Sequence, residues 1–205
     1  MLFLVFLFAA SAHAVATLRL TDGDGNSVTV ADGNADGVIT FNGSLDGNPA
    51  DSVWDVNVTT GITKPVIGAA ANPRMDLNSV NVTGTGAGTL TIEFSENGFL
   101  APPVAAWITG YGGTSDGTVA VNSYYDNANV EGAKTTLIAS LGPLGGASFS
   151  DDASSGLLPV SAPFSLTLEA IISHSGAGQV SSFDAEISPV PEPGTVILFG
   201  IGLIG

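Results

Sequence analysis

The sequence predicts an all-β protein, an antiparallel β-sandwich of the jelly-roll or Ig-like type. Two observations carry this prediction: segments in which apolar and polar residues alternate, and Asx-Gly dipeptides between such segments. In addition, no stretch of helical length shows an apolar period of 3.6 residues. The chain also contains 27 glycines and 11 prolines, as expected of a fold with many tight turns.

Alternation is clearest in "TLTIEFSE", where Leu90, Ile92 and Phe94 share one face. A period of two is typical of a half-buried strand. Three further segments show it, with apolar faces formed by Trp54, Val56 and Val58, by Phe164, Leu166 and Leu168, and by Phe183, Ala185 and Ile187. Turns are predicted at Asp22-Gly23, Asp36-Gly37, Asn42-Gly43, Asp46-Gly47 and Asn97-Gly98.

The charge balance is strongly acidic, with four basic residues against nineteen acidic ones and a formal net charge of −15. A nucleic-acid-binding protein needs Lys and Arg to neutralise phosphates, so this class is excluded. The chain has no cysteine, which excludes disulfides and thiol chemistry. Its hydrophobic content of 44% is sufficient for a buried core.

The first fourteen residues, "MLFLVFLFAASAHA", have the layout of a secretory signal peptide. An apolar run is followed by small residues in an A-x-A pattern, which predicts cleavage after Ala14. No Lys or Arg precedes the apolar run, so either the true start lies upstream or the signal is atypical. A buried first strand or helix is the alternative. With residues 1–14 removed, we expect residues 15–187 to form the β-sandwich domain.

One acidic segment, "DGNADGVI", has the spacing of a calcium loop. Asp32, Asn34 and Asp36 supply oxygens at positions one, three and five, with a glycine at position six, as in the first half of an EF-hand loop. Position twelve is Gly43, where a bidentate glutamate would stand, so Asp46 or another loop would have to complete the site. Calcium is the one cofactor that the sequence indicates, and solvated Asx-Gly turns are the alternative.

Two motifs resemble catalytic or phosphate-binding loops. "GTSDG", from Gly113 to Gly117, matches the G-x-S-x-G pattern, but that motif requires a following helix and here a strand-like segment follows. Ser115 is therefore predicted to lie in a turn, and His174 to be a partly buried histidine at a strand end. "GTGAG", residues 84–88, is also predicted to be a turn, so the sequence indicates a protein that is not an enzyme.

The C-terminal segment "VPEPGTVILFGIGLIG" combines Pro191-Glu192-Pro193 with an apolar run from Thr195 to Gly205. It resembles the PEP-CTERM protein-sorting signal of Gram-negative bacteria, which we assign to residues 188–205. The resemblance implies a transmembrane helix, a following arginine cluster and an exosortase-type processing enzyme as partner. Because a bilayer span needs about 20 apolar residues, we expect the helix to be truncated here and to continue beyond Gly205.

Segments of the body, among them "NSVTV", "VITFNGS", "MDLNSVNV" and "GTLTIEFSENGF", are similar to a group of exported PEP-CTERM proteins. That resemblance implies no particular activity. It implies a protein held in the inner membrane before processing and then released to the cell surface or extracellular matrix, in bacteria that make exopolysaccharide and biofilm. We therefore expect a structural or adhesive role.

Two other functions stay open at this point. The first is a calcium-assisted carbohydrate-binding module that would bind polysaccharide on an aromatic stacking face. The second is a secreted hydrolase, for which Glu93 and Glu169 on the polar strand faces would be considered. "SYYD" places one of its two tyrosines on each face of a strand, and Trp54 is in phase with core residues. Candidates for the stacking face are Trp54, Trp107, Tyr111, Tyr124 and Tyr125.

Overall fold

The computed structural model describes residues 15–45, 54–100 and 104–190. Their regular structure consists of twelve strands, all paired antiparallel, which confirms the prediction of an antiparallel all-β fold. These residues include no helix that could span a membrane. The strands are β1 (Thr17–Asp22), β2 (Ser27–Ala31), β3 (Val38–Ser44), β4 (Trp54–Ile62), β5 (Met75–Gly84), β6 (Gly88–Phe99), β7 (Val104–Ala105), β8 (Trp107–Asp126), β9 (Thr136–Ser154), β10 (Leu158–Pro159), β11 (Phe164–His174) and β12 (Val180–Pro189).

Two layers form the sandwich, and β8 and β9 belong to both. Sheet I has the order β2-β1-β6-β11, and sheet II has the order β3-β4-β5-β12. Residues 118–126 of β8 pair with β11, whereas residues 107–115 pair with β12. β9 pairs with β8 on both sides of this transition. Hydrogen bonding is therefore continuous from one layer to the other through these two long strands.

Glycines build the bend at which β8 passes between the layers. A Cβ added to Gly113 would lie 2.1 Å from the carbonyl oxygen of Ser182, and one added to Gly117 would lie 2.1 Å from that of Ser173. The opposing bend in β9 contains Gly142 at φ +80° and Gly146 at φ +103°. "GTSDG" is thus a corner inside a strand, and Ser115 lies in this bend rather than in a separate turn.

The core lies between the layers, where the alternating apolar residues meet. The Trp54 ring from sheet II lies 4.9 Å from the His174 ring of sheet I, centroid to centroid. The absence of a side chain at Gly61 of β4 makes room for the Phe94 ring of β6, which a Cβ there would meet at 3.2 Å. Leu18, Leu20, Leu90, Ile92, Leu77, Val80, Val82, Leu166, Leu168, Ile172, Phe183 and Ile187 are among the buried core residues.

Two of the predicted turns are wrong, because strand pairing continues through them. Asn42-Gly43 lies inside β3, where Gly43 pairs with Val56 of β4. Asn97-Gly98 lies inside β6, where Gly98 adopts a positive φ of +74° within the strand. The turns at Asp22-Gly23, at Asp36-Gly37 and within residues 84–88 are confirmed.

Some predictions fall on residues outside the described ranges. These are the signal peptide of residues 1–14, the turn at Asp46-Gly47 and the sorting motif at Pro191-Glu192-Pro193 with its apolar run.

The sandwich has two distinct ends, which we call the corner end and the terminal end. The bends of β8 and β9 and the turns β5–β6 and β11–β12 lie at the corner end. The described chain begins and finishes at the terminal end, where Ala16 accepts a hydrogen bond from the Asp32 N–H and Val190 donates one to Ala106.

Candidate functional site

The loop of residues 32–37, at the terminal end, brings the three predicted calcium ligands together. Asp32 is buried, and its Oδ2 accepts a hydrogen bond of 2.7 Å from the Gly37 N–H. Asp36 Oδ1 accepts one of 2.9 Å from Val38, and Asn34 Nδ2 donates to Asp36 Oδ2 at 2.8 Å. The side chains at positions one, three and five thus stabilise the loop by hydrogen bonds within it, as in an Asx turn.

Across the described ranges, no group of three or more His, Asp or Glu side chains is arranged to hold a metal ion. The calcium site at Asp32, Asn34 and Asp36 stays a prediction.

A second polar group lies on the outer face of sheet I. Glu93 of β6 and Glu169 of β11 are direct cross-strand partners, and Asn122 of β8 stands opposite Glu169 on the other side. Lys134 Nζ lies 2.5 Å from an oxygen of each glutamate. Glu169 Oε2 also accepts hydrogen bonds from Asn122 Nδ2 at 2.9 Å and from the Tyr124 hydroxyl at 3.2 Å. We call these five residues the Lys134 cluster.

Electrostatics in the Lys134 cluster favour the ionised forms of Glu169 and Lys134. Burial by itself raises the pKa of Glu169, but the hydrogen bonds from Lys134 and Asn122 outweigh burial and hold that pKa below its ordinary value. Burial lowers the pKa of Lys134, and the two glutamates reverse this, so the pKa lies above its ordinary value. A glycosidase acid needs a carboxyl with a raised pKa, and Glu169 has the opposite property.

Residues 127–135, which connect β8 to β9, cover this part of sheet I. The Gly132 N–H donates to Ser95 Oγ at 2.7 Å, and the Ser165 hydroxyl donates to the carbonyl oxygen of Val130 at 2.7 Å. Thr167 donates to the carbonyl oxygen of Ala133 at 3.3 Å. Under this cover the outward-facing Ser165, Thr167 and Glu169 of β11 are buried, whereas Ile171 and Ser173, farther along the strand, are half-buried.

The outer face of sheet II carries an open cleft of about 400 Å³. Four carboxylates line it, those of Asp76, Asp151, Asp184 and Glu186. Two glycines of β8, Gly110 and Gly112, leave its floor without side chains. We call this group, together with Asn78, the acidic cleft.

Charge repulsion in the acidic cleft is only partly relieved. Burial and the charges of Glu186 and Asp184 raise the pKa of Asp76 above its ordinary value. The neighbouring cation is Arg74, whose guanidinium lies 3.9 Å from a Glu186 oxygen. Asp184 accepts a hydrogen bond from the Ser79 N–H. The cleft therefore presents hydrogen-bond acceptors in excess of donors.

The corner end contains a buried hydrogen-bonded chain formed by Ser115, Ser181 and His174. Ser115 Oγ lies 2.7 Å from Ser181 Oγ, which lies 2.8 Å from His174 Nε2. His174 Nδ1 has no hydrogen-bond partner within the described residues, and burial lowers the pKa of this imidazole. Without a carboxylate to orient the ring, the arrangement lacks the third member of a hydrolase triad. It forms a buried polar link between β8, β11 and β12.

Burial excludes four of the five candidates for the aromatic stacking face, and among them Trp54 lies in the core as its phase predicted. Trp54, Trp107, Tyr111 and Tyr125 are at most 5% exposed and belong to the core. Tyr124 alone reaches the outer face of sheet I, where its hydroxyl bonds Glu169. Adjacent tyrosines in a strand do point to opposite faces, as "SYYD" predicted. Sequence reasoning missed the acidic cleft, whose members come from four strands, β5, β8, β9 and β12.

Residues 189–205 match the family model described as the PEP-CTERM protein-sorting motif. This match confirms the resemblance to PEP-CTERM proteins and supports an exported protein with a membrane-anchored sorting signal that an exosortase processes. No curated protein matches the chain.

Among solved structures, the chain is similar to TmCBM61, determined in complex with beta-1,4-galactotriose, at 10% identity over 68% of this chain and 88% of that one, with a TM-score of 0.36. It is also similar to a structure from carbohydrate-binding modules of the β-sandwich superfamily (12% identity, 86% and 73% covered, TM-score 0.37). A third is the K1 cleaved adhesin domain of Lys-gingipain from Porphyromonas gingivalis W83 (11% identity, 76% and 99% covered, TM-score 0.35). At TM-scores below 0.5, these likenesses carry no argument about function.

Proposed function

We propose that the chain is a structural or adhesive component of the cell surface or extracellular matrix of a Gram-negative bacterium, and that it acts by holding polysaccharide rather than by catalysing a reaction. Export rests on the sorting motif at residues 189–205. The observation that carries the binding role is the acidic cleft, an open concave surface on a rigid sheet. The link to exopolysaccharide and biofilm is part of the same proposal.

Sugar hydroxyls donate hydrogen bonds, and the acidic cleft offers carboxylate and amide oxygens to receive them. The glycine floor at Gly110 and Gly112 lets a flat ring approach the backbone closely. Because the chain carries a net charge of −15, a neutral polysaccharide suits this surface better than an acidic one.

A polysaccharide pull-down tests the proposal. We expect the full chain to sediment with insoluble neutral polysaccharide, and Glu186→Gln to weaken this retention. Asp24→Asn, which removes the same charge from an exposed turn at the corner end, is the matched control and should bind like the unmodified chain. Equal retention of all three proteins would remove the cleft from the proposal.

A calcium-assisted carbohydrate-binding module is the second candidate, favoured by the convergence of Asp32, Asn34 and Asp36 in one loop. Here binding would be lost in chelator and restored by millimolar calcium, and Asp36→Ala would abolish the restoration. Unchanged retention in chelator would favour the structural or adhesive role that needs no metal.

A further inference from the structure

We propose that the terminal end of the domain is a lipid-contact surface, on which the loop tips around Val190 rest on the bilayer while the C-terminal tail is attached. This inference rests on the proposed function in one respect, the membrane-anchored sorting signal. It adds a role for loop residues that neither the acidic cleft nor the Lys134 cluster uses.

Exposed apolar side chains are concentrated at this end. Among the described residues, seven large apolar side chains are exposed, and five of them belong to the loops of the terminal end. Single exposed apolar residues are normal on protein surfaces, but a group at one end indicates a contact surface. The five are Val66, Leu100, Val130, Leu157 and Val190.

Hydrogen bonds place these loops around the exit of the chain. The Leu100 N–H donates to Ala70, which joins the tip of β6 to the loop that contains Val66. The Ser155 N–H donates to Trp107, and the Val190 N–H donates to Ala106, so the Leu157 loop and the exit point flank the start of β8. Leu157, at 74% exposed, is the most exposed large apolar residue described.

The length of the linker fixes this end close to the membrane. Four residues, 191–194, lie between Val190 and Thr195, where the apolar run begins. The five residue-to-residue steps from Val190 to Thr195 span at most about 17 Å when fully extended, and the headgroup layer takes up about 6 Å of that distance. β12, with ten residues, is about 33 Å long. The terminal end is therefore held next to the lipid, whereas the corner end lies a full strand length farther away.

Lipid fits these loop tips better than a charged partner does. The five exposed side chains named above are aliphatic, and short aliphatic tips enter the boundary between headgroups and acyl chains, as interfacial segments do. The net charge of −15 would oppose an anionic leaflet, so the contact is expected with zwitterionic lipid.

The absence of cysteine makes the test direct, since any introduced cysteine is the sole labelling site. The full chain carrying Leu157→Cys is labelled with an environment-sensitive fluorophore and reconstituted in phosphatidylcholine vesicles that contain a spin-labelled quencher lipid. We expect a blue shift and quenching at this position. The control is Val180→Cys, an exposed apolar residue at the corner end, where neither change is expected. Ile197→Cys reports insertion of the tail.

Each pattern of labelling decides the proposal. Quenching at positions 157 and 197 but not at 180 supports it. Quenching at 197 alone overturns the lipid contact, leaves anchoring intact and assigns the loop tips to a protein partner. Equal quenching at 157 and 180 overturns the preference for one end. An unquenched label at 197 overturns the anchoring that the inference rests on, and the inference with it.

Discussion

The two outer faces of the sandwich carry the same acidic residue types in opposite electrostatic situations. On sheet I, Glu93 and Glu169 share the ammonium of Lys134, and residues 127–135 cover them. On sheet II, the carboxylates of the acidic cleft face solvent, with Arg74 at 3.9 Å from one of them. The pKa of Glu169 is lowered and that of Asp76 is raised. The two faces differ because residues 127–135 cover sheet I and supply the cation Lys134, whereas the acidic cleft of sheet II is open to solvent.

Removing the charge of Lys134 should have the largest effect on the stability of the domain. Lys134→Met removes the ammonium that both glutamates share, which leaves Glu93 with the Arg19 guanidinium at 3.9 Å and Glu169 with its hydrogen bonds from Asn122 and Tyr124. We expect the free energy of unfolding to fall by about 2 kcal/mol, a figure reduced for the solvent that reaches a side chain 36% exposed. Urea unfolding measures it. Lys134→Arg, which retains the charge, should recover most of the loss. An unchanged midpoint for Lys134→Met would show that the cover on sheet I is held by its backbone bonds alone.

Lowering the pH should show that ionised Glu169 stabilises the folded state. Because its pKa is lowered in the folded state, the stabilisation is complete above the ordinary glutamate pKa and is lost as the pH falls through the folded value. Glu169→Gln should therefore cost about 1.5 kcal/mol at pH 7 and progressively less in acid. Melting curves over pH 7 to 3 test this. A difference that stays constant with pH would contradict the charge-based account.

The contribution of Asp76 to stability should depend on pH in the opposite direction. Its raised pKa means that the folded state binds the proton more readily, so a penalty exists at neutral pH and is relieved as the pH falls through the folded value. Asp76→Asn is expected to stabilise the domain by about 0.5 kcal/mol at pH 7, since it removes a cross-strand like-charge pair with Glu186. Its advantage over the unmodified chain should shrink in acid. Destabilisation at pH 7 would show that the carboxylate has a structural role.

Added salt should have the smallest effect on stability, and it should act through the acidic cleft on the outer face of sheet II. Raising the ionic strength to about 0.5 M screens repulsion between exposed carboxylates, so the melting temperature of the unmodified chain should rise slightly. The double variant Asp76→Asn, Glu186→Gln should show a smaller rise. If both respond equally, the repulsion is spread over the whole surface rather than concentrated in the acidic cleft.

The strands could be predicted from the sequence because each depends on a local pattern. The apolar series Leu90, Ile92, Phe94 and Phe164, Leu166, Leu168 are buried as the period of two required. The turns at Asn42 and Asn97 were wrong because pairing with a neighbouring strand overrides a dipeptide preference, which no local pattern reports. "GTSDG" was correctly separated from a nucleophile elbow by the strand that follows it, although its role as a corner depends on strands more than fifty residues away.

The candidate sites were less accessible to sequence reasoning. The residues of the Asp32 loop are neighbours in the chain, so their convergence followed from spacing. Glu93, Lys134 and Glu169 become neighbours only through the order of β6, β11 and the covering loop. The acidic cleft likewise depends on the order of β5, β12 and β8 and on the pairing of β9 with β8. One signal existed for the cleft: polar positions alternate with apolar ones in both β5 and β12, but strand order was needed to place them side by side.

The position of β12 has a mechanical consequence. This strand leads into the tail, and it is paired along its length with β5 on one side and β8 on the other. A pull applied at Val190 acts along the strand axis and loads the hydrogen bonds to both neighbours at the same time, in shear, instead of peeling them apart one by one. Polysaccharide held in the acidic cleft would bear on the same strand through Asp184 and Glu186. Tension between a tethered tail and a bound matrix would then run through a single strand with two supporting neighbours.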